Sequence, residues 1–204
     1  GGDTIYIYDL TNNYYLTSVR ESNGQYRITI PESAEDHELL IWNKTEIKEV
    51  ERADKVDFIE YGSADYSYVI LYHPRLTDDG AGNNYVQAYA DYRSSPEGGS
   101  YKVALVNIES LYDQFAYGIH THSLAVRNFS QYIRNLWPKM AYMLIIGKGL
   151  EYPYYRKTGL DTQYFFVPTF CSPAADIILV TDSQNKPLCS FGRLPVIHGS
   201  EIKK

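Results

Sequence analysis

The sequence has little of what several protein classes depend on. It contains 2 Cys, 2 Trp and 2 Met in 204 residues, and its formal net charge at pH 7 is −6. Two cysteines are too few for a disulfide framework. An acidic chain without a cluster of lysine and arginine does not suit nucleic acid or an anionic membrane surface. The sequence therefore predicts neither a disulfide-rich domain nor a nucleic-acid partner.

Long apolar runs are also missing. The most continuous one is AYMLIIG at residues 141–147, well short of the roughly 20 residues that a membrane-spanning helix needs. Its length suits a buried strand instead. We expect no membrane-spanning segment.

Tyrosine, by contrast, is abundant, with 21 Tyr against 7 Phe. A tyrosine ring is apolar and its hydroxyl is polar, so the residue suits half-buried sheet faces and also contact surfaces. We favour an aromatic-rich sheet protein. A tyrosine-lined ligand surface remains the alternative.

Residues 1–65 are predicted to be β structure. TIYIYDL at 4–10 alternates in hydrophobicity, LLIWN at 39–43 is a further apolar run, and Asn23-Gly24 is a hairpin signal between two such runs. These strands are too few for a complete sandwich. We interpret residues 1–65 as the C-terminal strands of a preceding β domain.

The pattern changes at residue 66. Four strand-like runs follow, with amphipathic helices predicted near 85–92 and at 123–136. Strands that alternate with helices imply right-handed crossovers and a Rossmann-like, mainly parallel sheet flanked by helices. Ser200 resembles the start of a helix, so we expect residues 66–204 to be an α/β subdomain that is cut short, with its tail from Val196 loosely held.

Two short motifs could carry chemistry. His120 and His122 have a metal-like spacing but no third ligand nearby, so we interpret them as polar groups at a helix N-terminus. Lys148, between two glycines after a strand, lies where α/β sheets bind ligands, but the motif is neither a P-loop nor a dinucleotide fingerprint. The sequence predicts no metal and no cofactor.

The two cysteines are predicted to be buried and structural. Cys171 and Cys189 both lie in apolar sequence surroundings, which disfavour the thiolate, and we expect both to react slowly with thiol reagents. His198, followed by a glycine, has the His-Gly form of a cysteine-peptidase base and raises the question whether Cys189 is its nucleophile.

Several blocks of residues 66–204 together resemble the gingipain-type cysteine peptidases, nearest to the sortase-like branch of type IX secretion. In order, the blocks are YVILYHPRL, YADYR, YKVALVNIESLYDQFAYG, AVRNFSQYI, YMLIIGKG, VPTFCSPAADIILV and PLCSFGRLPV. The resemblance implies a caspase-like domain of two α/β subdomains, with the catalytic His-Gly and Cys in the second. Residues 66–204 would be the first, non-catalytic subdomain, and His198 would lie in a turn after the Gly-Arg-Leu-Pro strand.

The same resemblance implies the setting of the parent protein. That protein would be secreted or held at the cell surface or outer membrane of a bacterium. It would act on a protein or peptide substrate, and its missing catalytic subdomain would be the partner of this chain. No residue of the chain is predicted to be catalytic. Candidates for a wall of the substrate crevice are Lys148, Glu151, Asp176 and Asp182.

Two positions depart from the family pattern. Lys148 stands where the family commonly has Asp, and Cys171 stands where it commonly has Gly. The first change reverses a charge at the crevice, which bears on the substrate class and on whether the parent is active. One alternative is therefore an inactive, tyrosine-rich surface module that binds carbohydrate or protein. Another, a nucleotide- or phosphate-binding α/β enzyme, is disfavoured because no glycine pattern cradles a phosphate.

Overall fold

The computed structural model describes residues 5–43, 48, 50, 52–151, 153, 154 and 162–203. The chain divides into two compact units, an N-terminal unit of Gly1–Lys55 and a C-terminal unit of Val56–Lys204. The division by sequence pattern, after residue 65, falls ten residues further along the chain.

The N-terminal unit is antiparallel β structure, as its alternating sequence predicts. Its described strands are β1 (Ile5–Asp9), β2 (Tyr14–Leu16), β3 (Ser18–Arg20), β4 (Tyr26–Ile28) and β5 (Leu39–Asn43). Strands β2, β1 and β5 form one sheet, in that order, and β3 and β4 form the hairpin that Asn23-Gly24 predicts. Gly24 has a φ of 84°, in the left-handed region that this turn requires.

The two faces of the β2–β1–β5 sheet differ. One face carries Ile7 and Asp9, which are fully buried, and the Asp9 carboxylate accepts hydrogen bonds from the side chains of Asn12 and His37. The other face is aromatic, because the register places Tyr6 opposite Trp42 and Tyr8 opposite Tyr15.

The C-terminal unit is built on a parallel sheet. Its strands are β6 (Tyr68–Tyr72), β7 (Val103–Asn107), β8 (Tyr142–Ile146) and β9 (Ser190–Leu194), and its α-helices are α1 (Tyr85–Ser94), α2 (Ile108–Phe115) and α3 (Leu124–Leu136). The strand order is β7–β6–β8–β9, and every neighbouring pair is parallel. The predicted mainly parallel, helix-flanked α/β sheet is confirmed.

The core of this unit lies where the sheet meets the helices. β6 is buried along almost its whole length, which is typical of a central strand in a parallel sheet. From α3, the residues Ala125, Phe129 and Ile133 are fully buried, as their spacing predicts. The helix ends at Leu136, two residues before Pro138.

Helix α2 was not predicted. It follows β7 without an intervening loop, and Asn107 is both the last strand residue and the N-cap, its side chain accepting a hydrogen bond from the backbone N–H of Glu109. The apolar run of the strand continues directly into the helix. The change from the two-residue repeat of a strand to the 3.6-residue repeat of a helix is therefore hard to see in the sequence.

The tail after β9 is packed, which corrects the expectation that it is loosely held. Val196 and Ile202 are buried in the core, and Gly199–Ile202 form a 3₁₀ helix. A Cβ at Gly199 would lie 2.7 Å from the carbonyl oxygen of Leu76. The backbone of the tail therefore approaches the segment after β6 at a distance that only glycine permits.

Candidate functional site

The candidate site lies at the carboxyl ends of the parallel strands, where open α/β sheets bind ligands. Three strands are followed at this edge by a polar side chain, His73 after β6, Glu109 after β7 and Lys148 after β8, and β9 is followed by Pro195 and Val196. Two arrangements of side chains organise these segments.

Arg193 is the centre of the first arrangement. It lies on β9, its side chain is 10% exposed, and its Nε donates to Asp176 Oδ2 at 2.6 Å. Its Nη1 donates to the carbonyl oxygens of Gly147, at 2.8 Å, and Val167, at 3.1 Å, and its Nη2 donates to that of Pro168 at 3.0 Å. One guanidinium therefore fastens the turn after β8 and the 167–168 segment to β9.

The glycines on either side of Lys148 allow this close packing. Gly147 has a φ of 140°, and a Cβ there would lie 2.9 Å from Phe166 Cβ. A Cβ on Gly149 would lie 2.7 Å from the carbonyl oxygen of Val167. The two glycines thus allow the 165–169 segment to pack closely against the end of β8. This packing accounts for the glycines without a phosphate ligand.

The second arrangement is a carboxylate between two imidazoles. Glu109 Oε1 lies 3.0 Å from His73 Nε2, and Glu109 Oε2 lies 3.1 Å from His120 Nδ1. Burial lowers the pKa of His73, and it outweighs the attraction of the Glu109 carboxylate; the nearby charge of Arg75 lowers the pKa further.

Sequence reasoning singled out His120 but missed His73 and Glu109. A signal was available, because both residues come directly after strand-like runs, and the ends of neighbouring parallel strands lie at one edge.

A cavity of about 660 Å³ opens beside these arrangements. Its walls are the segment 119–123, which leads into α3, and parts of the segment from Leu150 to Ser172. His120, His122 and Cys171 all border it. This is the combination of residue types from which a thiol–imidazole pair could be made, so its geometry decides what the cavity can do.

Cys171 is exposed, which contradicts the expectation that it is a buried structural residue. Its φ is 64°, in the left-handed region that favours glycine, and it opens a turn on the surface. The gingipain-type peptidases, which the sequence resembles, commonly have glycine at this position. The left-handed backbone gives a physical reason for that glycine.

The Cys171 thiol makes no hydrogen bond to His120 or His122 in the described part of the chain. His122 Nδ1 instead accepts a hydrogen bond from the backbone N–H of Leu124, at the start of α3, and His120 is bound to Glu109. A nucleophilic cysteine needs a base within hydrogen-bond reach. The cavity therefore borders a thiol and two imidazoles without pairing them.

Cys189 and His198 do not meet either. Cys189 immediately precedes β9 and His198 lies beyond its other end, so a strand of five residues, about 17 Å at 3.3 Å per residue, separates them. Burial raises the pKa of the Cys189 thiol to about 11. His198 is exposed and contacts the ring of Tyr164.

The four predicted crevice residues have separate surroundings. Lys148 is half-buried, and its backbone N–H donates to the carbonyl of Val196. Glu151 accepts from Ser172 Oγ at 3.2 Å and from the N–H of Ala174 at 3.3 Å. Asp176 is bound to Arg193, as described above.

Asp182, the fourth, closes the turn 182–186. Its carboxylate accepts from the backbone N–H of Lys186 and of Gln184, and the first of these hydrogen bonds is the main cause that lowers its pKa. No contact among the described residues joins the four predicted residues into one cluster.

Two further properties of the described residues bear on function. They contain no group of three or more His, Cys, Asp or Glu side chains that could hold a metal ion. None of their helices combines the length and the apolar character needed to cross a bilayer.

Comparison with known proteins gives one match. Residues 61–204 match the family model described as Peptidase family C25. No curated protein and no solved structure matches the chain.

Proposed function

Because the chain belongs to peptidase family C25, the gingipain family of cysteine peptidases, we propose that it is the non-catalytic half of a secreted, gingipain-like cysteine endopeptidase. In this proposal the C-terminal unit supplies the scaffold and one wall of the substrate crevice. The catalytic His and Cys come from a second subdomain, which is the partner of this unit and packs beside it.

The observation that carries the proposal is the carboxyl edge of the parallel sheet. Arg193 fastens two loops there beside a cavity of about 660 Å³, and among the described residues the thiol that borders the cavity makes no hydrogen bond to either imidazole. A cavity whose thiol lacks a base supports a binding role for this half and a catalytic role for another.

The chemistry in the parent would follow the cysteine-peptidase scheme. A thiolate attacks the peptide carbonyl carbon, an imidazole transfers the proton to the leaving amine, and backbone N–H groups stabilise the oxyanion. The residues of this chain hold the peptide rather than react with it: Arg193 positions the crevice loops, and the cavity receives a substrate side chain.

Location and biological role are part of the same proposal. We place the parent outside the cell or at the surface of a bacterium, in proteolysis or in the sorting and processing of proteins by type IX secretion. Family membership and the sortase-like sequence blocks support this placement.

The experiment compares residues 1–204 with a longer product of the same reading frame. We expect the longer product to cleave peptides in a thiol-dependent manner, and an alkylating inhibitor to label a cysteine outside residues 1–204. Labelling of Cys171 or Cys189 with parallel loss of activity would contradict the proposal. So would the absence of thiol-dependent cleavage by a folded longer product.

A second candidate function is a surface module that binds carbohydrate or protein. The aromatic face of the N-terminal unit favours it, because Tyr15 is 69% exposed beside Tyr8, and Trp42 stacks on Tyr6 with ring centroids 5.8 Å apart. One nearly parallel pair of half-buried rings beside an exposed tyrosine offers an aromatic surface for sugar faces and apolar side chains. Titration of Trp fluorescence with oligosaccharides, with Trp42→Ala as the control, tests this candidate separately from peptidase activity.

A further inference from the structure

The lining of the cavity at the carboxyl edge indicates which substrate side chains it would bind, a property that family membership does not assign. Resting on the proposed function, we infer that this cavity binds a large, uncharged apolar side chain of an extended peptide and rejects the side chains of lysine and arginine. Three features of the cavity lead to this inference.

The first feature is the apolar lining. Six apolar residues border the cavity: Ile119, Leu150, Pro153, Phe165, Pro168 and Phe170. The volume, about 660 Å³, lies within the range of ligand pockets, roughly 300–1,000 Å³, which are mostly apolar with a few polar contacts, so it has room for the largest side chains. A bulky hydrocarbon side chain would find partners on several walls.

The second feature is the charge of the lining. None of the described residues that border the cavity is acidic. A guanidinium or ammonium group that entered would lose its water without gaining a counter-charge, which is strongly unfavourable.

The carboxylates near the cavity are engaged elsewhere. Glu109 holds His73 and His120, Asp176 holds Arg193, and Glu151 accepts two hydrogen bonds in the 172–174 turn. Glu109 and Asp176 thus each bind side chains of this unit, and Glu151, whose two hydrogen-bond donors are uncharged, lies outside the lining. The described lining therefore offers no acid of its own with which to select lysine or arginine.

The third feature is how the two histidines are bound. His120 Nδ1 lies 3.1 Å from Glu109 Oε2, and His122 Nδ1 accepts a hydrogen bond from the N–H of Leu124. His122 Nε2–H can still donate to an acidic side chain, but one hydrogen bond does not offset the loss of water around an enclosed carboxylate. The hydroxyl groups of Thr121, Ser123 and Thr169 also border the cavity and can hydrogen-bond a peptide backbone.

The exposed thiol of Cys171 allows a direct test, because it borders the cavity. The folded chain is equilibrated, under a fixed excess of β-mercaptoethanol, with disulfides that share one cysteamine arm. They differ only in the group carried: phenyl, isobutyl, guanidinium or carboxylate. The fraction of each captured at Cys171 is read by intact mass. The same panel of disulfides is also equilibrated with the chain unfolded in urea. This control measures how much of each is captured when no cavity is present.

We expect the phenyl and isobutyl groups to be captured about tenfold more than the guanidinium and carboxylate groups, the discrimination that one or two methylene-sized contacts provide. The preference should vanish in urea, capture should be lost in Cys171→Ser, and Cys189→Ser should change nothing. Leu150→Asp places a carboxylate on the lining and should raise guanidinium capture.

Equal or stronger capture of the guanidinium group by the unaltered folded chain would overturn the inference. A preference that persists in urea would overturn it as well. Neither result depends on catalysis. Failure of the proposed function would appear instead as a longer product without thiol-dependent peptidase activity, whatever the panel shows.

Discussion

The two ends of the parallel sheet are held together in different ways. At the amino end, the rings of Tyr68, Tyr101 and Tyr142 contact one another at centroid distances of 5.3–5.7 Å. The guanidinium of Arg93 lies 4.8 Å from the rings of both Tyr68 and Tyr101. At the carboxyl end, Arg193 instead binds the backbone of two loops and leaves a cavity beside them.

The two ends thus differ in how they are filled, and under the proposed function the amino end is structural and the carboxyl end faces the substrate. Ring-on-ring packing fills the amino end with side chains. Hydrogen bonds from one guanidinium to loop carbonyls fix the carboxyl end without filling it. An arginine is central to both ends, so matched substitutions of the two arginines compare them directly.

Arg193→Met is expected to have the largest effect. It leaves Asp176 as an unpaired carboxylate and removes the hydrogen bonds to three carbonyls. Because the pair is only partly buried, we expect a loss between about 1 kcal/mol, the value of an exposed pair, and the roughly 3–5 kcal/mol lost when a fully buried pair is broken. Urea unfolding followed by circular dichroism measures the free energy of unfolding. A loss below about 1 kcal/mol, the value of an exposed pair, would mean that Arg193 does not organise this end.

The cysteines should differ by about two orders of magnitude in reactivity. Cys171 is exposed at the carboxyl end, whereas Cys189 lies at the amino end, where burial raises its pKa to about 11. A thiol with that pKa has about a hundredfold less thiolate at pH 8 than an ordinary cysteine.

Labelling with a chromogenic disulfide should therefore show one fast and one slow thiol in the folded chain. Cys171→Ser should remove the fast phase and Cys189→Ser the slow one. Two phases of equal rate would contradict the assigned burial of the two residues.

Arg93→Met, the matched change at the amino end, is expected to cost less than Arg193→Met. Arg93 interacts with two tyrosine faces rather than with a carboxylate, and a partly desolvated cation–π contact contributes about 1–2 kcal/mol. Urea unfolding under the same conditions compares the two variants. An Arg93→Met loss equal to that of Arg193→Met would remove the distinction between the ends.

The smallest effect is a pH dependence at the carboxyl end. The pKa of His73 is lowered in the folded state from the usual 6.5, so the unfolded chain takes up this proton first as the pH falls. Stability attributable to His73 is thus unaffected above about pH 6.5 and decreases as the pH falls below that value.

The free energy of unfolding at pH 7.5 and 5.5, compared between the unaltered chain and His73→Asn, measures this contribution. The variant should lose less stability over that interval. His120→Asn, which alters the exposed partner of the same Glu109, is the control. A larger loss in His73→Asn would reverse the assigned direction of the pKa shift.

Most of the sheet could be predicted from the sequence because its strands are continuous apolar runs. The sequences of β6, β7 and β8 are the apolar runs expected of buried parallel strands. The apolar residues of α3 recur at the spacing of a helix that packs on such a sheet. Helix α2 escaped because no loop separates it from β7.

The candidate site was less predictable. His73 and Glu109 meet because parallel strands end at the same edge, and His120 joins them from the segment between α2 and α3. Cys171 looked buried because its sequence neighbours are apolar, but the backbone there is left-handed and turns the residue to the surface. Local hydrophobicity does not show which residues from distant parts of the chain will meet. It also does not show where the backbone will adopt a left-handed turn.

The central claim is that residues 1–204 supply a substrate wall and no catalytic pair. The most direct test is an assay of residues 1–204 against a broad peptide library in reducing buffer, with Cys171→Ala and Cys189→Ala in parallel. We expect no thiol-dependent turnover by any of the three proteins. Turnover by the unaltered chain that either substitution abolishes would contradict the claim and assign the catalytic thiol to this half.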